Sequence, residues 1–166
     1  MKLKKIIYLF LVSGILFSCD DDEKKETKFN HLVEQFADIK VLRYKIPGFE
    51  ELSTKEKSLV YYLTQAGLAG RDIMWDQNYK HNLKIREALE NINANYTGDR
   101  ESDDFNAFKV YLKRVWFSNG IHHHYSNDKI KPAFTRDYFE TELLQKSSTV
   151  LAPEIVAVLF NDVDAK

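Results

Sequence analysis

The stretch that decides the fold is residues 103–120, which read DDFNAFKVYLKRVWFSNG. Large apolar side chains recur there every three or four residues, the spacing of one helical face, at Phe105, Phe108, Leu112, Val115 and Trp116. Asn119 and Gly120 follow directly, and both tolerate the left-handed backbone that ends many helices. The pattern therefore predicts a helix over residues 103–118 with one face packed into a core.

A second helix is predicted to begin at Ser53. Ser53 and Glu56 stand at the spacing of a capping box, in which each side chain accepts a hydrogen bond from the other residue's backbone N–H. An apolar stripe follows at helical spacing and consists of Leu59, Tyr62, Leu63, Ala66, Ala69, Gly70 and Ile73. We predict a long core-facing helix, in which a close crossing offsets the weakening of up to about 1 kcal/mol by each of Gly67 and Gly70.

Three shorter patterns predict further helices. Residues 79–96 carry one apolar stripe, formed by Leu83, Ala88, Leu89 and Ile92. Phe134 and Phe139 bracket Thr135 as a hydrophobic staple around a helix start, and that helix continues to Leu144. Pro153 begins the last helix, whose apolar residues are Ile155, Val156, Leu159 and Phe160.

One segment favours β structure. Residues 38–46, DIKVLRYKI, alternate between two faces and end at Pro47 and Gly48, which is typical of a half-buried strand. The strand stands alone or follows a short helix carrying Leu32, Val33 and Phe36. The predicted fold class is therefore mainly α with a short β portion.

Composition bounds the function. A chain of 166 residues with 44% apolar residues supports one hydrophobic core. Its 24 basic and 25 acidic side chains leave a net charge of −1, which argues against a nucleic-acid partner. With one cysteine, the chain cannot form an internal disulfide or a cysteine-based zinc cage.

The N-terminus has the pattern of a lipoprotein signal peptide over residues 1–18. Three lysines precede the apolar residues 6–17, and the segment LFSC then ends at Cys19, as in a bacterial lipobox. We expect acylation of Cys19 to anchor the protein in the outer membrane of a bacterial cell envelope, with residues 19–28 as an acidic linker. The alternative is an ordinary secreted protein with a stray thiol at Cys19.

The three consecutive histidines His122, His123 and His124 are the most visible candidate site. In an extended loop His122 and His124 face one side and would share a metal ion, but nearby only Asp128 and Tyr125 could complete the set. A pH switch would need a bistable element as well. We favour a third interpretation, in which the imidazoles stack and form hydrogen bonds beside Tyr125 and Trp116 in the wall of a cleft. The sequence contains no G-x-S-x-G elbow, phosphate-binding glycine loop, dinucleotide fingerprint or H-E-x-x-H pair.

Three long segments together resemble the N-terminal part of bacterial (Bacteroidetes-type) dipeptidyl peptidase III, a family of zinc exopeptidases. They are YLKRVWFSNGIHHHYSNDKIKPAF at 111–134, LVYYLTQAGLAGRDIMWDQN at 59–78 and QFADIKVLRYKIPGFEELS at 35–53. Eukaryotic members of the family carry a loop of the form G-N-Y-x-S-F-G-D-x-K-F-x-P. Gly120, Lys129 and Pro132 match that loop in place, and Tyr125 stands where it has phenylalanine.

The resemblance implies a two-lobed enzyme that removes dipeptides from the N-termini of oligopeptides bound between the lobes. It places Tyr125, Asn119, His122 and His124 at the substrate cleft. The family holds its zinc through H-E-x-x-G-H and E-E-x-R-A motifs, and neither motif occurs in this sequence. We therefore expect residues 29–166 to be a partial N-terminal region with no catalytic residue, no metal ligand and no activity alone.

The sequence is also compatible with two other functions. The chain is alternatively a lipid-anchored peptide-binding or interaction module that has no catalytic role. A weaker alternative is metal scavenging by the histidines.

Overall fold

The computed structural model describes residues 29–161. The chain divides after His31 into two units, and only Phe29, Asn30 and His31 of the first unit are described. In that short piece the Phe29 and His31 rings form a T-shaped contact, with their centroids 4.8 Å apart. The elements reported below all belong to the second unit.

The second unit is mainly helical with one small sheet, which confirms the predicted fold class. The chain forms a hairpin and then a 3-10 turn at Phe49–Glu51, followed by five α-helices and one π-helical segment. The strands are β1 (Leu32–Phe36) and β2 (Ile39–Leu42). The helices are α1 (Thr54–Ala69), α2 (Arg71–Asn78), α3 (Asn82–Asn95), α4 (Asp103–Ser118), the π-helical segment (Tyr138–Leu144) and α5 (Pro153–Phe160).

Helix α4 packs one face into the core, as the sequence pattern predicted. The Ser102 hydroxyl caps its start by accepting a hydrogen bond from the Phe105 N–H, and Asn119 ends it with a left-handed φ of 51°. Its buried residues are Phe105, Phe108, Tyr111, Leu112, Val115 and Ser118. Trp116 is only partly buried, because its indole N–H reaches outward to the Glu90 carboxylate at 2.9 Å.

An aromatic cluster joins α4 to the C-terminal elements. The Phe134 ring lies 6.0 Å from the rings of Phe108, Phe139 and Phe160, and its stacked contact with Phe139 confirms the predicted staple. The Thr135 hydroxyl oxygen accepts a hydrogen bond from the Tyr138 N–H at 3.1 Å, as expected for an N-cap residue. The helix that follows is π-helical rather than α-helical, a feature that apolar periodicity does not distinguish over seven residues.

Helices α3 and α5 also follow their predicted stripes. Ala88, Leu89 and Ile92 of α3 are buried, together with Ile85. Ile155, Val156 and Leu159 of α5 are buried after a proline start. The core is therefore assembled mainly from α3, α4, the π-helical segment and α5, and Trp75 of α2 joins it together with Ile121 and Ile130 from the segment after α4.

The hairpin corrects one alternative drawn from the sequence. Residues 32–36 form strand β1 rather than a short helix, because they pair with β2 in an antiparallel register that joins Leu32 to Leu42 and Phe36 to Ile39. Ala37 takes a positive φ of 47° at the turn. Strand β2 is shorter than residues 38–46, with Ile39 and Val41 half-buried on its inner face.

Ion pairs hold the hairpin against α4. The Lys113 ammonium binds the Glu34 carboxylate, and the Arg114 guanidinium binds the Asp38 carboxylate. The Lys113 ammonium also lies 5.7 Å from the centroid of the Phe36 ring.

Helix α1 is the main departure from expectation. Its capping box forms as predicted, with the Ser53 N–H donating to the Glu56 carboxylate at 2.8 Å. The expected long helix is divided at Gly70, and α2 begins at Arg71. The prediction that it faces the core is wrong, because no residue of α1 is buried. Exposure reaches 59% for Leu59, 68% for Tyr62 and 63% for Leu63.

The first buried residue of the second unit is Trp75 in α2. The hairpin, the 3-10 turn and α1 therefore surround no core of their own among the described residues. No helix within residues 29–161 has the length and apolar character that crossing a membrane requires.

Candidate functional site

The candidate site is built around residues 119–132, which we call the histidine loop. The Asn82 side chain, 1% exposed at the start of α3, fixes the first turn of this loop. Its amide nitrogen donates to the Trp75 carbonyl at 3.1 Å and to the Asn119 carbonyl at 3.4 Å, and its oxygen accepts the Ile121 N–H at 3.2 Å. One amide thus ties α2, α3 and the histidine loop together.

Gly120 allows this approach. A Cβ atom at Gly120 would lie 2.2 Å from the Asn82 amide nitrogen, and the backbone φ of 150° is one that side chains other than glycine rarely adopt. The local geometry therefore requires glycine at position 120.

The two stems of the loop are joined by backbone hydrogen bonds. The Ile130 N–H donates to the Ile121 carbonyl at 2.7 Å, and the His123 N–H donates to the Asp128 carbonyl at 2.8 Å. His122 and Lys129 pair as an isolated antiparallel bridge. The loop is therefore a short hairpin whose tip, residues 124–127, extends from fixed stems.

The three histidines are divided between two environments. His122 is 5% exposed and meets the Tyr79 ring edge-on at 5.5 Å. His123 and His124 are exposed, and their ring centroids lie 4.5 Å apart. In an extended loop His122 and His124 would face one side, but here His122 is buried and His124 is exposed, because the chain turns at residues 123–126.

Of the two predicted neighbours of the histidines, Tyr125 is present and Trp116 is not. The His124 ring lies 4.1 Å from the Tyr125 ring and 4.9 Å from the Phe117 ring. Trp116 is bound to Glu90 instead of lining the loop. Within residues 29–161, no three His, Cys, Asp or Glu side chains are grouped so that they could hold a metal ion.

Tyr125 is the most exposed aromatic residue at the loop tip, with 89% of its surface accessible. Its position is nevertheless defined, because its backbone N–H donates to Nδ1 of His123 at 3.3 Å and its ring contacts His124. The tyrosine thus offers an apolar ring and a hydroxyl to a ligand without first leaving a packed position.

A cleft of about 390 Å³ lies between the histidine loop and the junction of α2 with α3. Its lining is rich in amides, hydroxyls and imidazoles, and it comprises Asn78, Asn82, Ser118, Gly120 and residues 122–127. Such groups both donate and accept hydrogen bonds, as the backbone of a bound peptide does. The volume lies within the usual range of small-ligand sites, roughly 300–1,000 Å³.

A second cavity of about 310 Å³ lies on the other side of the loop, against the hairpin. His123 and His124 line both cavities, so the loop is the wall between them. At the second cavity the Arg114 guanidinium hydrogen-bonds the Asp38 carboxylate and lowers the pKa of Asp38, with a smaller contribution from His123. The second cavity therefore has an ion pair at its edge, whereas the lining of the first contains no Asp, Glu, Lys or Arg.

Of the predicted substrate residues, Tyr125, His122 and His124 line the 390 Å³ cleft, whereas Asn119 is not part of its lining. The Asn119 carbonyl accepts hydrogen bonds from the side-chain amides of Asn78 and Asn82. The predicted lipidation residue, Cys19, lies outside the described residues.

Sequence reasoning missed Asn78 and Asn82. The signal available was a pair of amides on either side of a helix break, in the segment QNYKHN at residues 77–82.

No family model matches the sequence, and a search of curated proteins gives no significant match. The resemblance to dipeptidyl peptidase III therefore depends on residues 35–53, 59–78 and 111–134 alone.

Proposed function

We propose that this chain is the N-terminal, peptide-contacting portion of a dipeptidyl peptidase III-like exopeptidase, and that it does not hydrolyse peptides alone. One observation carries the proposal. Tyr125 stands where the family loop has its aromatic residue, and it is exposed at the rim of a polar cleft.

In this proposal the cleft binds an oligopeptide through its main chain. The side chains of Asn78, Ser126 and Asn127 lie in the lining. Asn78 already donates to the Asn119 carbonyl and Ser126 already bonds with Asp128, so a peptide would use their remaining hydrogen-bonding capacity or displace these contacts. The Tyr125 ring would cover a peptide side chain by apolar contact, which suits varied residues. The lining carries no lysine, arginine or carboxylate, so it has no strong preference for a charged ligand.

The hydrolytic step belongs to the family's zinc, which when bound activates a water molecule and polarises the scissile carbonyl. The motifs that hold it are missing from this sequence. The role proposed for the residues of this chain is to bind and orient the peptide. A dipeptidyl-naphthylamide assay with added zinc should show no turnover, and turnover by this chain would overturn the proposed inactivity.

Peptide contact at Tyr125 is tested by titrating tetrapeptides and following backbone NMR shifts. We expect weak binding, with a dissociation constant on the order of 1 mM, and shifts that map to the histidine loop. Tyr125→Ala should weaken binding at least fivefold. Tyr44→Ala is the matched control, since Tyr44 is 73% exposed and belongs to a different segment. Equal binding by both variants, or shifts that avoid the loop, would exclude the proposed contact.

The second candidate is a lipid-anchored peptide-binding module without catalysis. It is favoured by the fact that residues 78–127 supply every lining residue of the 390 Å³ cleft, so this cavity is complete within the chain. A module predicts micromolar affinity for tetra- and pentapeptides by calorimetry, which separates it from the weaker binding above. It also predicts that cells incorporate labelled palmitate into the protein, and that Cys19→Ser abolishes the label.

A further inference from the structure

Helix α1 presents an apolar surface that no other described element covers. We call this surface the α1 face and define it by Leu59, Val60, Leu63, Ala66, Gly67 and Gly70. Leu59 and Leu63 are 59% and 63% exposed, and Val60 is 41% exposed. An isolated helix of 16 residues is marginal in water, so most of its stability must come from packing.

The α1 face is also uncharged. Residues 58–70, SLVYYLTQAGLAG, contain no Asp, Glu, Lys or Arg. Surface helices of soluble proteins normally alternate apolar and charged faces. An uncharged stretch of this length indicates a helix that is covered in its working state.

Gly67 gives an independent indication of close packing. Glycine is a poor helix former, so its presence inside a helix calls for a reason. Nothing in the described chain provides one, because a Cβ atom at Gly67 would meet no atom within 4 Å. A glycine on an exposed helix face suits the close approach of a second backbone.

We propose that two copies of this chain associate through the α1 face, with the two helices antiparallel about a twofold axis. The face is self-complementary in this arrangement. When Leu63 of one copy lies over Gly67 of the other, the symmetry places Leu63 of the second copy over Gly67 of the first. The same register places Val60 opposite Gly70, so that a large side chain meets a small one at each of these contacts.

Electrostatics favours a second copy over a charged partner. The twofold axis brings identical residues together, and an uncharged face produces no like-charge repulsion there. Antiparallel helices also place their opposite dipole ends side by side. A partner selected by charge would find no complementary side chain within residues 58–70.

The expected dimer is small. Burying one aliphatic side chain removes roughly 60–120 Å² from water, so a few half-exposed residues provide a few hundred Å² of apolar surface per copy. Interfaces with a total area below about 1,200 Å² are typically weak and transient. We therefore expect a dissociation constant in the micromolar range. Tyr61 and Leu68 lie on the opposite side of α1 and take no part.

Sedimentation velocity of the full chain tests the proposal over a concentration series from about 1 to 200 µM. We expect the unmodified chain to shift from monomer to dimer. Leu63→Asp should weaken association at least tenfold, whereas the control Val150→Asp, at a loop residue that is 94% exposed, should leave it unchanged. Residues 6–17 are the same in all three proteins, so a difference between variants reports the α1 face. Equal sedimentation by the two variants, or a monomer throughout, would overturn the proposal.

Gly67→Ala distinguishes packing from simple helix stability. Alanine strengthens a helix, so the helical circular dichroism signal should hold or rise. The added methyl should nevertheless weaken the dimer severalfold, because it occupies the space of Leu63 from the other copy. A stronger dimer would overturn the close crossing at Gly67.

Cross-linking tests the antiparallel register. In a Cys19→Ser background, a mixture of Leu63→Cys and Gly67→Cys chains should form disulfide-linked heterodimers faster than either variant alone. Faster linkage of Leu63→Cys chains to each other would exclude the proposed register.

Discussion

Helices α1 and α4 have the same length of 16 residues and the same kind of start, a serine whose hydroxyl accepts the N–H three residues on. Both carry apolar residues at helical spacing. Helix α4 buries six residues, whereas α1 buries none. The difference lies in the surroundings of each helix, because α3, the π-helical segment and α5 supply partners for α4 alone.

Charge placement separates the two helices at the level of sequence. Lys109, Lys113 and Arg114 mark the solvent side of α4, and two of them bind the hairpin. In α1 the charged residues all stand in the first turn, at Lys55, Glu56 and Lys57. A periodic apolar pattern shows which side of a helix needs a partner. Because α1 has no charged residue beyond its first turn, its surface in need of a partner extends around more of the helix than that of α4.

The largest expected difference between α4 and α1 is in the free energy of unfolding when one apolar residue of each helix is truncated. Phe108→Ala should lower the free energy of unfolding by about 3–5 kcal/mol, because the ring is fully buried and leaves a cavity. Leu63→Ala should change it by less than about 0.5 kcal/mol in dilute protein, as for an exposed residue. Urea unfolding followed by tryptophan fluorescence measures both. A large loss in the Leu63 variant would show that α1 packs inside the monomer.

The next effect concerns the residue that fixes the histidine loop. Asn82→Ala should cost about 1–3 kcal/mol, because it leaves the buried Ile121 N–H without its acceptor. Chemical denaturation gives this value, and hydrogen exchange of the Ile121 amide gives the local effect. Exchange of that amide at the unmodified rate would contradict the assigned hydrogen bond.

Removing the two serine caps gives an intermediate effect. Ser102→Ala should lower global stability by about 1 kcal/mol, because α4 belongs to the core. Ser53→Ala removes an equivalent cap and should reduce the helical circular dichroism signal while leaving the unfolding midpoint in place. If both variants shifted the midpoint equally, α1 and α4 would unfold as one cooperative unit.

The smallest effect is a response to acid. The Ser53 hydroxyl and N–H lower the pKa of Glu56 below its usual 4.5, and Arg114 lowers the pKa of Asp38 below 3.8. When folding lowers the pKa of a carboxyl group, that group stabilises the folded protein at pH values above its ordinary pKa. This stabilisation is lost as the pH falls through the lowered pKa. Carboxyl NMR titration should show both shifts. As the pH falls below about 4.5 the α1 start should loosen, and below about 3.8 the hairpin contact should loosen as well.

Much of the helical fold was predictable from particular residues. Ser53 and Glu56, Asn119, the Phe134–Phe139 staple and Pro153 mark helix ends through local hydrogen bonds and backbone preferences, which the sequence encodes directly. The buried stripes of α3 and α4 followed from apolar spacing for the same reason.

The remaining features depend on contacts distant in sequence. Strand β1 forms because residues 39–42 pair with it, and its own apolar pattern suited a short helix equally well. The directions of His122 and His124 depend on the turn at residues 123–126, which a side-chain pattern does not specify. Asn82 acts on a loop 39 residues away, so no local signal assigns its partner.

The fixed stems of the histidine loop have a practical consequence. Ile121 and Ile130 are buried and joined by a backbone hydrogen bond, and Asn82 secures the turn before them. Residues 124–127 extend beyond these stems and add little to the core. The tip is therefore a natural insertion point, where a tag, an epitope or a longer recognition sequence would leave the helical scaffold intact.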